Sequence, residues 1–491
     1  MTLPSRSLRV EATPSLAGVR VYLDSLGCAK NLVDSEATLG LLLNAGCERS
    51  AAPEAADVLV VNTCGFLEMA REESVERILE LAQLKGTARP RLVAVLGCLV
   101  ARAPEELRES IPEVDVWLPA GQHGELGAHL ARLWAGLPDA AVRRATDRSG
   151  SGRAPITAFT GFGSRVLLTP AHTAYLKIAE GCSNPCTFCS IPLMRGTQRS
   201  RPRDDIVAEA AHLAAGGVRE LHLVAQDLTR YGFDLGPRID LLDLVRALDT
   251  VAGIEWIRLL YAHPAHLGRR LLEGLFTVSK VVPYLDMPVQ HASPRILRAM
   301  RRGHGPDRVR RQVEWLRAQV PGITLRSTLI VGFPGETEKD FEFLCRFVQE
   351  VRFDRLGIFT YSREPGTPAY GLIGRPRAST AERRMHLLTE LQMQIASEQA
   401  AARVGARTRI LVDALVSRED ELVSPLAHHA AAVGRSPGEA LDIDGVIYLE
   451  AGPAGDPAPR PGCFVDATLV AADVHDLRAR LRGRDTAGST V

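Results

Sequence analysis

Residues 174–196 read AYLKIAEGCSNPCTFCSIPLMRG. An apolar run of strand length leads through Gly181 into Cys182, Cys186 and Cys189, a C-x3-C-x2-C spacing on a single loop. Three thiolates within eight residues can face one small object. A structural zinc site is closed by four protein ligands, and no fourth Cys or His lies nearby. A 4Fe–4S cluster is held by thiolates, and with three of them one iron stays open. Parallel α/β folds keep their chemistry at the C-terminal ends of strands, where this loop falls. The plainer alternatives are a partial zinc knuckle or a chance grouping.

The loop opens a long α/β series. Strands are expected at 174–179, 218–225, 254–260, 281–289, 323–331 and 354–360, with helices at about 203–216, 239–251, 266–278, 306–319 and 336–350. A last helix is expected over about 380–403, capped by Ser379 or Thr380. Six strands with short helical crossovers predict a barrel-like or open parallel sheet over 171–403.

Upstream, residues 19–136 repeat the alternation. Apolar runs at 21–26, 58–61 and 92–96 alternate with helical stretches at 33–45 and 67–84, which predicts parallel βαβ units. The segments VYLDSLGC, VLVVNTC and LVAVLGC end in Cys28, Cys64 and Cys98, spaced 36 and 34 residues apart, about one βαβ unit each. If the three strands are neighbours, their thiols converge at one sheet edge. Gly27, Gly65 and Gly97 flank the cysteines and would let a bulky cofactor approach the backbone. Any one such cysteine alone reads as an ordinary buried thiol. Recurring at one place in three units, they point to a second cluster. Cys47, Cys345 and Cys463 fit neither set and read as structural thiols.

Residues 1–18 read as a flexible leader, and 137–170, rich in Arg, Gly, Ser and Thr, as a linker. From 404 to 477 short alternating segments (TRILVDALV, GVIYLE, CFVDATLV) predict a small all-β domain, followed by a tail over 478–491.

The chain has 491 residues, 46% hydrophobic and 24% charged, which supports several buried cores and argues against disorder. Lys and Arg number 59 against 58 Asp and Glu, a net of +1, so no bulk charge draws it to nucleic acid or anionic lipid. No apolar run reaches the ~20 residues of a membrane span. The first residues lack the apolar core of a secretion signal. Nine cysteines without an export signal argue against a disulfide framework. The expectation is a soluble cytoplasmic protein.

The three-cysteine loop, with Phe188 before its last cysteine, resembles the radical S-adenosylmethionine (SAM) motif. The three-cysteine domain ahead of it is similar to the N-terminal domain of the methylthiotransferases, and the terminal β domain is similar to TRAM. The fold class this implies is α/β: an N-terminal parallel α/β domain, a central partial (β/α) barrel of radical SAM type and a small C-terminal all-β TRAM-like barrel. The words SLGCAKNLVDSE (25–36), VNTCGF (61–66), MPVQHAS (287–293), GFPGETEKDF (332–341) and FTYSREPGTPAY (359–370) resemble the RimO-type ribosomal protein methylthiotransferases. The MiaB-like tRNA branch carries Gln-Met-Asn after the first cysteine, where Ala-Lys-Asn stands here, and Ser after the second, where Gly65 stands.

The resemblance implies that Cys182, Cys186 and Cys189 hold the 4Fe–4S cluster whose open iron chelates SAM, cleaved by one electron to a 5′-deoxyadenosyl radical. It implies that Cys28, Cys64 and Cys98 hold an auxiliary 4Fe–4S cluster tied to sulfur and methylthio delivery. A second SAM supplies the methyl group. The implied substrate is an aspartate β-carbon of small-subunit ribosomal protein twelve, and an electron donor is a required partner. An unactivated C–H bond needs a radical, and the resulting carbon radical needs a sulfur source close by; cofactors carry this chemistry. A tRNA adenosine methylthiotransferase, a non-catalytic iron–sulfur or RNA-binding protein and a zinc structural protein are the rivals.

Phe188 is a candidate to lie beside the SAM adenine, with core packing as its alternative. Gln226 follows the second strand and is a candidate SAM contact; a rim hydrogen bond is the simpler role. The GFPGE loop (332–336) offers backbone N–H groups to a polar ligand, or is a tight βα turn. Arg295, Arg298, Arg301, Arg302, Arg308, Arg310 and Arg311 read better as a solvated face than as a basic patch. Residues 401–476 hold 12 acidic and 6 basic residues, a net of −6, which suits a basic protein partner better than RNA and makes tRNA an unexpected one.

Overall fold

Val58–Thr63, buried along its whole length, forms the middle strand of an N-terminal parallel sheet. The computed structural model describes residues 15–102, 104–137, 162–236, 239–416, 424–450 and 459–481. The chain divides into two units, Met1–Leu168 with Leu193–Arg195, and Thr169–Pro192 with Gly196–Val491.

The first unit runs β1 (Arg20–Ser25), α1 (Ala29–Asn44), β2 (Glu48–Arg49), β3 (Val58–Thr63), α2 (Glu68–Gln83), β4 (Leu92–Gly97), α3 (Cys98–Arg102), α4 (Pro104–Ser110), β5 (Val116–Pro119) and α5 (Leu126–Ala135). The strands lie in the order β2-β1-β3-β4-β5, all parallel. Alternate strand residues feed opposite faces: Val58, Val60, Ala94 and Leu96 meet Leu42, Leu126 and Leu130, while Leu59, Val61, Val93 and Val95 meet Ile78, Leu81 and Trp117. That period-2 division of apolar strands is what helices on both faces require.

Three strands were expected here and five are found. The first unit also takes in parts of the expected leader and linker. Leu16 is buried in its core. Val166 N and Leu168 N donate to Glu36 on α1, at 3.1 and 2.7 Å. The rest of both stretches, 1–14 and 138–161, lies outside the described residues.

The second unit carries β6 (Thr173–Lys177), β7 (Ala179–Glu180), α6 (Ile191–Arg195, whose last three residues group with the first unit), β8 (Arg199–Ser200) and α7 (Arg203–Ala215). It continues through β9 (Glu220–Val224), α8 (Leu241–Asp249), β10 (Trp256–Leu259), α9 (Arg269–Leu275), β11 (Val281–Asp286), α10 (Pro294–Ala299), α11 (Pro306–Gln319), β12 (Thr324–Val331), α12 (Glu338–Val351) and β13 (Arg355–Thr360). A six-stranded parallel sheet runs β6-β9-β10-β11-β12-β13, in chain order, as expected of right-handed crossovers. The long α13 (Ala378–Ala402) starts at Ala378 rather than after Ser379 or Thr380. Arg377, extended at ψ 150° after Pro376, is its N-cap, so Ser379 and Thr380 fall inside the first turn.

The terminal strands β14 (Arg407–Leu415), β15 (Ala430–Arg435), β16 (Ile447–Glu450), β17 (Phe464–Ala472) and β18 (Leu477–Leu481) close a barrel in the order β14-β15-β16-β18-β17. β18 corrects the expected tail. Leu477 and Ala479 alternate into the barrel core while Arg478 and Arg480 face outward. Residues 482–491 lie outside the described ones.

The segment from Arg435 to Asp444 ties this barrel to the six-stranded sheet. Arg258 of β10 donates to Pro437 O at 2.6 Å and to Glu220 of β9 at 3.0 Å. Arg435 reaches Glu220 at 2.5 Å and Asp413 at 2.8 Å. Tyr175 OH donates to Leu441 O, and Tyr284 OH to Asp444, at 2.8 and 2.7 Å. Burial opposes the charge of Glu220, yet Arg435, His222 and Arg258 together hold its carboxyl well below the usual range. Among the described residues no helix is long and apolar enough to cross a membrane.

Candidate functional site

In the N-terminal sheet β1, β3 and β4 are neighbours, so Cys28, Cys64 and Cys98 emerge side by side at the C-terminal edge. The order 2-1-3-4-5 has its switch point between β1 and β3, the usual ligand position in such sheets. The glycines serve the neighbouring loops. A Cβ on Gly27 would stand 2.7 Å from Cys64 Cβ, and one on Gly65 would stand 2.8 Å from the Cys98 carbonyl. Each glycine thus lets the next cysteine loop nest against it.

A polar network fixes the loops. Asn31 Nδ2 donates to Leu26 O and Thr63 O, both at 2.9 Å. Asn62 Nδ2 donates to Asn31 O at 2.9 Å and Ser35 Oγ at 2.8 Å. Arg195 Nε donates to Cys98 Sγ at 3.2 Å. Burial raises Cys64, and raises Cys98 to about 11, with the neighbouring thiols adding to both. Cys28, the N-cap of α1, is lowered instead. Burial works against its thiolate but is outweighed by Lys30, Arg195 and the N–H groups of Asn31 and Lys30.

In the second unit Cys182, Cys186 and Cys189 follow β7 on one loop. Thr187 pins that loop: its N–H and hydroxyl donate to Met300 O and Ala299 O, at 3.1 and 2.8 Å. Cys182 N donates to Gly196 O at 3.1 Å. Asn184 donates to Asp227 at 2.8 Å and meets His266 Nε2 at 2.8 Å. Burial pushes Cys189 up to about 12, with Cys186 and Cys182 adding to it, so the three thiols sense one another. Arg302, buried, donates to Cys186 Sγ at 3.2 Å and Pro288 O at 2.7 Å. Burial, and then Arg302, drives His304 down to about 3.

The Radical SAM superfamily model matches residues 176–348, the TRAM domain 404–481, and an uncharacterized protein family, UPF0004, 20–119. The ribosomal protein uS12 methylthiotransferase RimO of Anaeromyxobacter sp. (strain Fw109-5) is 45% identical over 475 residues, covering 96% of this chain and 94% of its own. That of Myxococcus xanthus (strain DK1622) is 43% identical over 461 residues, covering 94% and 91%. The chain belongs to the RimO family. In fold it is similar to the radical SAM methyltransferase TsrM of Kitasatospora setae, with a TM-score of 0.53 at 15% identity over 80% of this chain and 78% of that one.

A RimO-family chain with a radical SAM domain is a transferase that works with SAM and 4Fe–4S chemistry. The donor set fits. Among the described residues no three His, Cys, Asp or Glu side chains are arranged to hold a single metal ion. Each site offers three cysteine thiols, the number with which a 4Fe–4S cluster keeps one iron open. Gln226 Nε2 donates to Glu180 at 3.1 Å, the rim bond foreseen for it. Its Oε1 is buried with no partner, leaving an acceptor for a ligand.

Phe188 packs with Ile296, Met300, Phe333, Tyr361 and Ala369. The N–H groups of Gly332 and Phe333 in the GFPGE loop are taken by Glu336, so that loop is a tight turn. Within 295–311, Arg295, Arg298, Arg301 and Arg311 are exposed as expected, whereas Arg302 is buried. Cys47 is buried in the first core, but Cys463 is exposed. Three of the twelve acids counted over 401–476 do not face a partner. Asp413, Glu439 and Asp444 are bound internally, and β18 adds Arg478 and Arg480. Glu419, Asp420, Glu421 and Asp456 lie outside the described residues.

Sequence reasoning missed Arg195, Asp34, Asn31 and Asn184. The buried polar stripe of α1, Asn31, Asp34 and Ser35, was the available signal, because polar residues at helical spacing on an inward face need partners.

Proposed function

We propose that this chain methylthiolates the β-carbon of an aspartate in ribosomal protein uS12, using two 4Fe–4S clusters and SAM. Cys182, Cys186 and Cys189 hold the cluster that works with SAM; Cys28, Cys64 and Cys98 hold the one that serves sulfur delivery. When bound, these groups supply hydrogen-atom removal from an unactivated carbon and the sulfur that replaces it. Gln226 offers its unpaired Oε1 to SAM, and Phe188, within its apolar cluster, flanks the adenine. Segments 19–136, 171–403 and 404–477, the last completed by residues to 481, carry sulfur delivery, SAM chemistry and substrate docking in that order. The reaction takes place in the cytoplasm and draws on an external electron donor.

The observation that carries this reading is the family match over 96% of the chain, with both cysteine triads in place at C-terminal strand ends. The test is an anaerobic assay of reconstituted protein with SAM and reductant, offering uS12 and bulk tRNA in parallel and reading both by mass spectrometry. A methylthio mass gain on an aspartate of uS12 alone is expected. A gain on tRNA alone overturns the substrate assignment. Cys186→Ala is expected to abolish 5′-deoxyadenosine formation. Cys64→Ala is expected to retain SAM cleavage and lose sulfur insertion, and full product from that variant would refute the N-terminal assignment.

A further inference from the structure

Arg195 is only 3% exposed, and its guanidinium serves three different side chains. Nε donates to Cys98 Sγ at 3.2 Å, Nη1 to Asp34 Oδ2 at 3.1 Å and Nη2 to Asn31 Oδ1 at 2.6 Å. Asp34 and Asn31 both stand on α1, whose N-cap is Cys28. Asn31 also clamps the carbonyls of Leu26 and Thr63, next to the other two cysteine loops. The residues that fix the thiol positions therefore also fix the arginine.

With both Nη groups anchored, the Nε–H has one direction left to point, and a cysteine sulfur lies there. A bridge to Asp34 alone would have needed no third contact. Guanidinium is always charged and planar, so the donor cannot be lost by deprotonation. A hydrogen bond from a cation to an anionic sulfur is roughly twice as strong as a neutral one. Hydrogen bonds to ligand sulfurs are among the main determinants of iron–sulfur potentials.

We propose that Arg195 is a positioning residue of the N-terminal cluster site, donating a charge-assisted hydrogen bond to the Cys98 sulfur that favours the reduced, more negative cluster. This rests on the assignment of Cys28, Cys64 and Cys98 as cluster ligands. Asp34 and Asn31 act through Arg195 by holding its plane.

The test uses the full chain with Cys182, Cys186 and Cys189 replaced by Ala, reconstituted anaerobically so that only the N-terminal cluster remains. Iron and sulfide are counted, and the cluster is titrated potentiometrically with detection by electron paramagnetic resonance. Asp34→Asn/Arg195→Met removes donor and counter-charge together, so no unpaired buried charge is left to unfold the chain. At fixed potential its reduced-to-oxidised ratio is expected to fall about tenfold, equivalent to ~59 mV for one electron. Arg195→Lys, which keeps the charge without the fork, is expected to fall in between. Loss of iron from the double variant, with retention in Arg195→Lys, also bears the proposal out. An intact cluster with unchanged potential in the double variant overturns it. A parent chain that binds no cluster overturns the ligand assignment itself, and the proposal with it.

Discussion

At Gly97 the backbone takes φ +106°, and a Cβ there would stand 2.5 Å from both Asn62 Oδ1 and Thr63 O. Gly97→Ala combines left-handed strain with a clash against a buried side chain. It is expected to cost about 2 kcal/mol or more in urea unfolding, with loss of iron from the N-terminal site. The positions of all six proposed ligand cysteines were legible because strand ends and spacing are local features. Arg302 was not: its neighbours Arg298 and Arg301 look the same in sequence and stand in solvent. What separates it is Cys186, 116 residues away along the chain. Arg195 is hidden for the same reason, with Cys98 97 residues distant.

Elements with strong periodicity were found within a few residues of their ends. All six strands of the central sheet were expected, and α12 begins with a capping box in which Thr337 and Asp340 bond reciprocally. The missed strands are short or atypical. β5 has four residues, the last a proline, and β15 reads AAAVGR, without the aromatic or β-branched run that marks a strand. β18, LRARL, alternates perfectly, but its position beside a polar terminus disguised it. The segment joining β15 to β16 carries its own pH dependence. Burial opposes the charge of Glu439, but Arg403 and Arg355 hold its carboxyl down at about 2, against an ordinary 4.5. A depressed carboxyl contributes stability that is full above the unfolded value and is lost as pH falls through the folded one. Thermal stability is therefore expected to fall between about pH 4.5 and pH 2, and Glu439→Gln should flatten that part of the profile in scanning calorimetry.

At the scale of the whole molecule, the terminal barrel completes the second unit rather than hanging from it. Cutting the chain after residue 403 removes Arg435 from Glu220, which is fully buried, and strips the cover from Arg258. Uncovering a buried ion network of this kind costs several kcal/mol. The truncated chain is expected to be recovered as aggregate, and a soluble, cooperatively unfolding product in circular dichroism would contradict that. The acidic count over 401–476 treated every carboxylate as surface. Several of those acids bind this chain's own arginines, which composition alone has no means to reveal.

The Arg435–Asp444 segment also sets an order of events during synthesis. By the time residue 195 has left the ribosome, every part of the N-terminal unit is available to fold. The central sheet has a longer wait, since Tyr175, Arg258 and Tyr284 find their partners only in residues 437–444. Domains fold as units in the order they emerge. For some 250 residues of translation, about 12 to 50 s at 5–20 residues per second, the nascent chain therefore carries a completed first unit while the second still lacks its last partner. The loop cysteines 182, 186 and 189 spend that interval beside a sheet whose partners in residues 437–444 have yet to emerge.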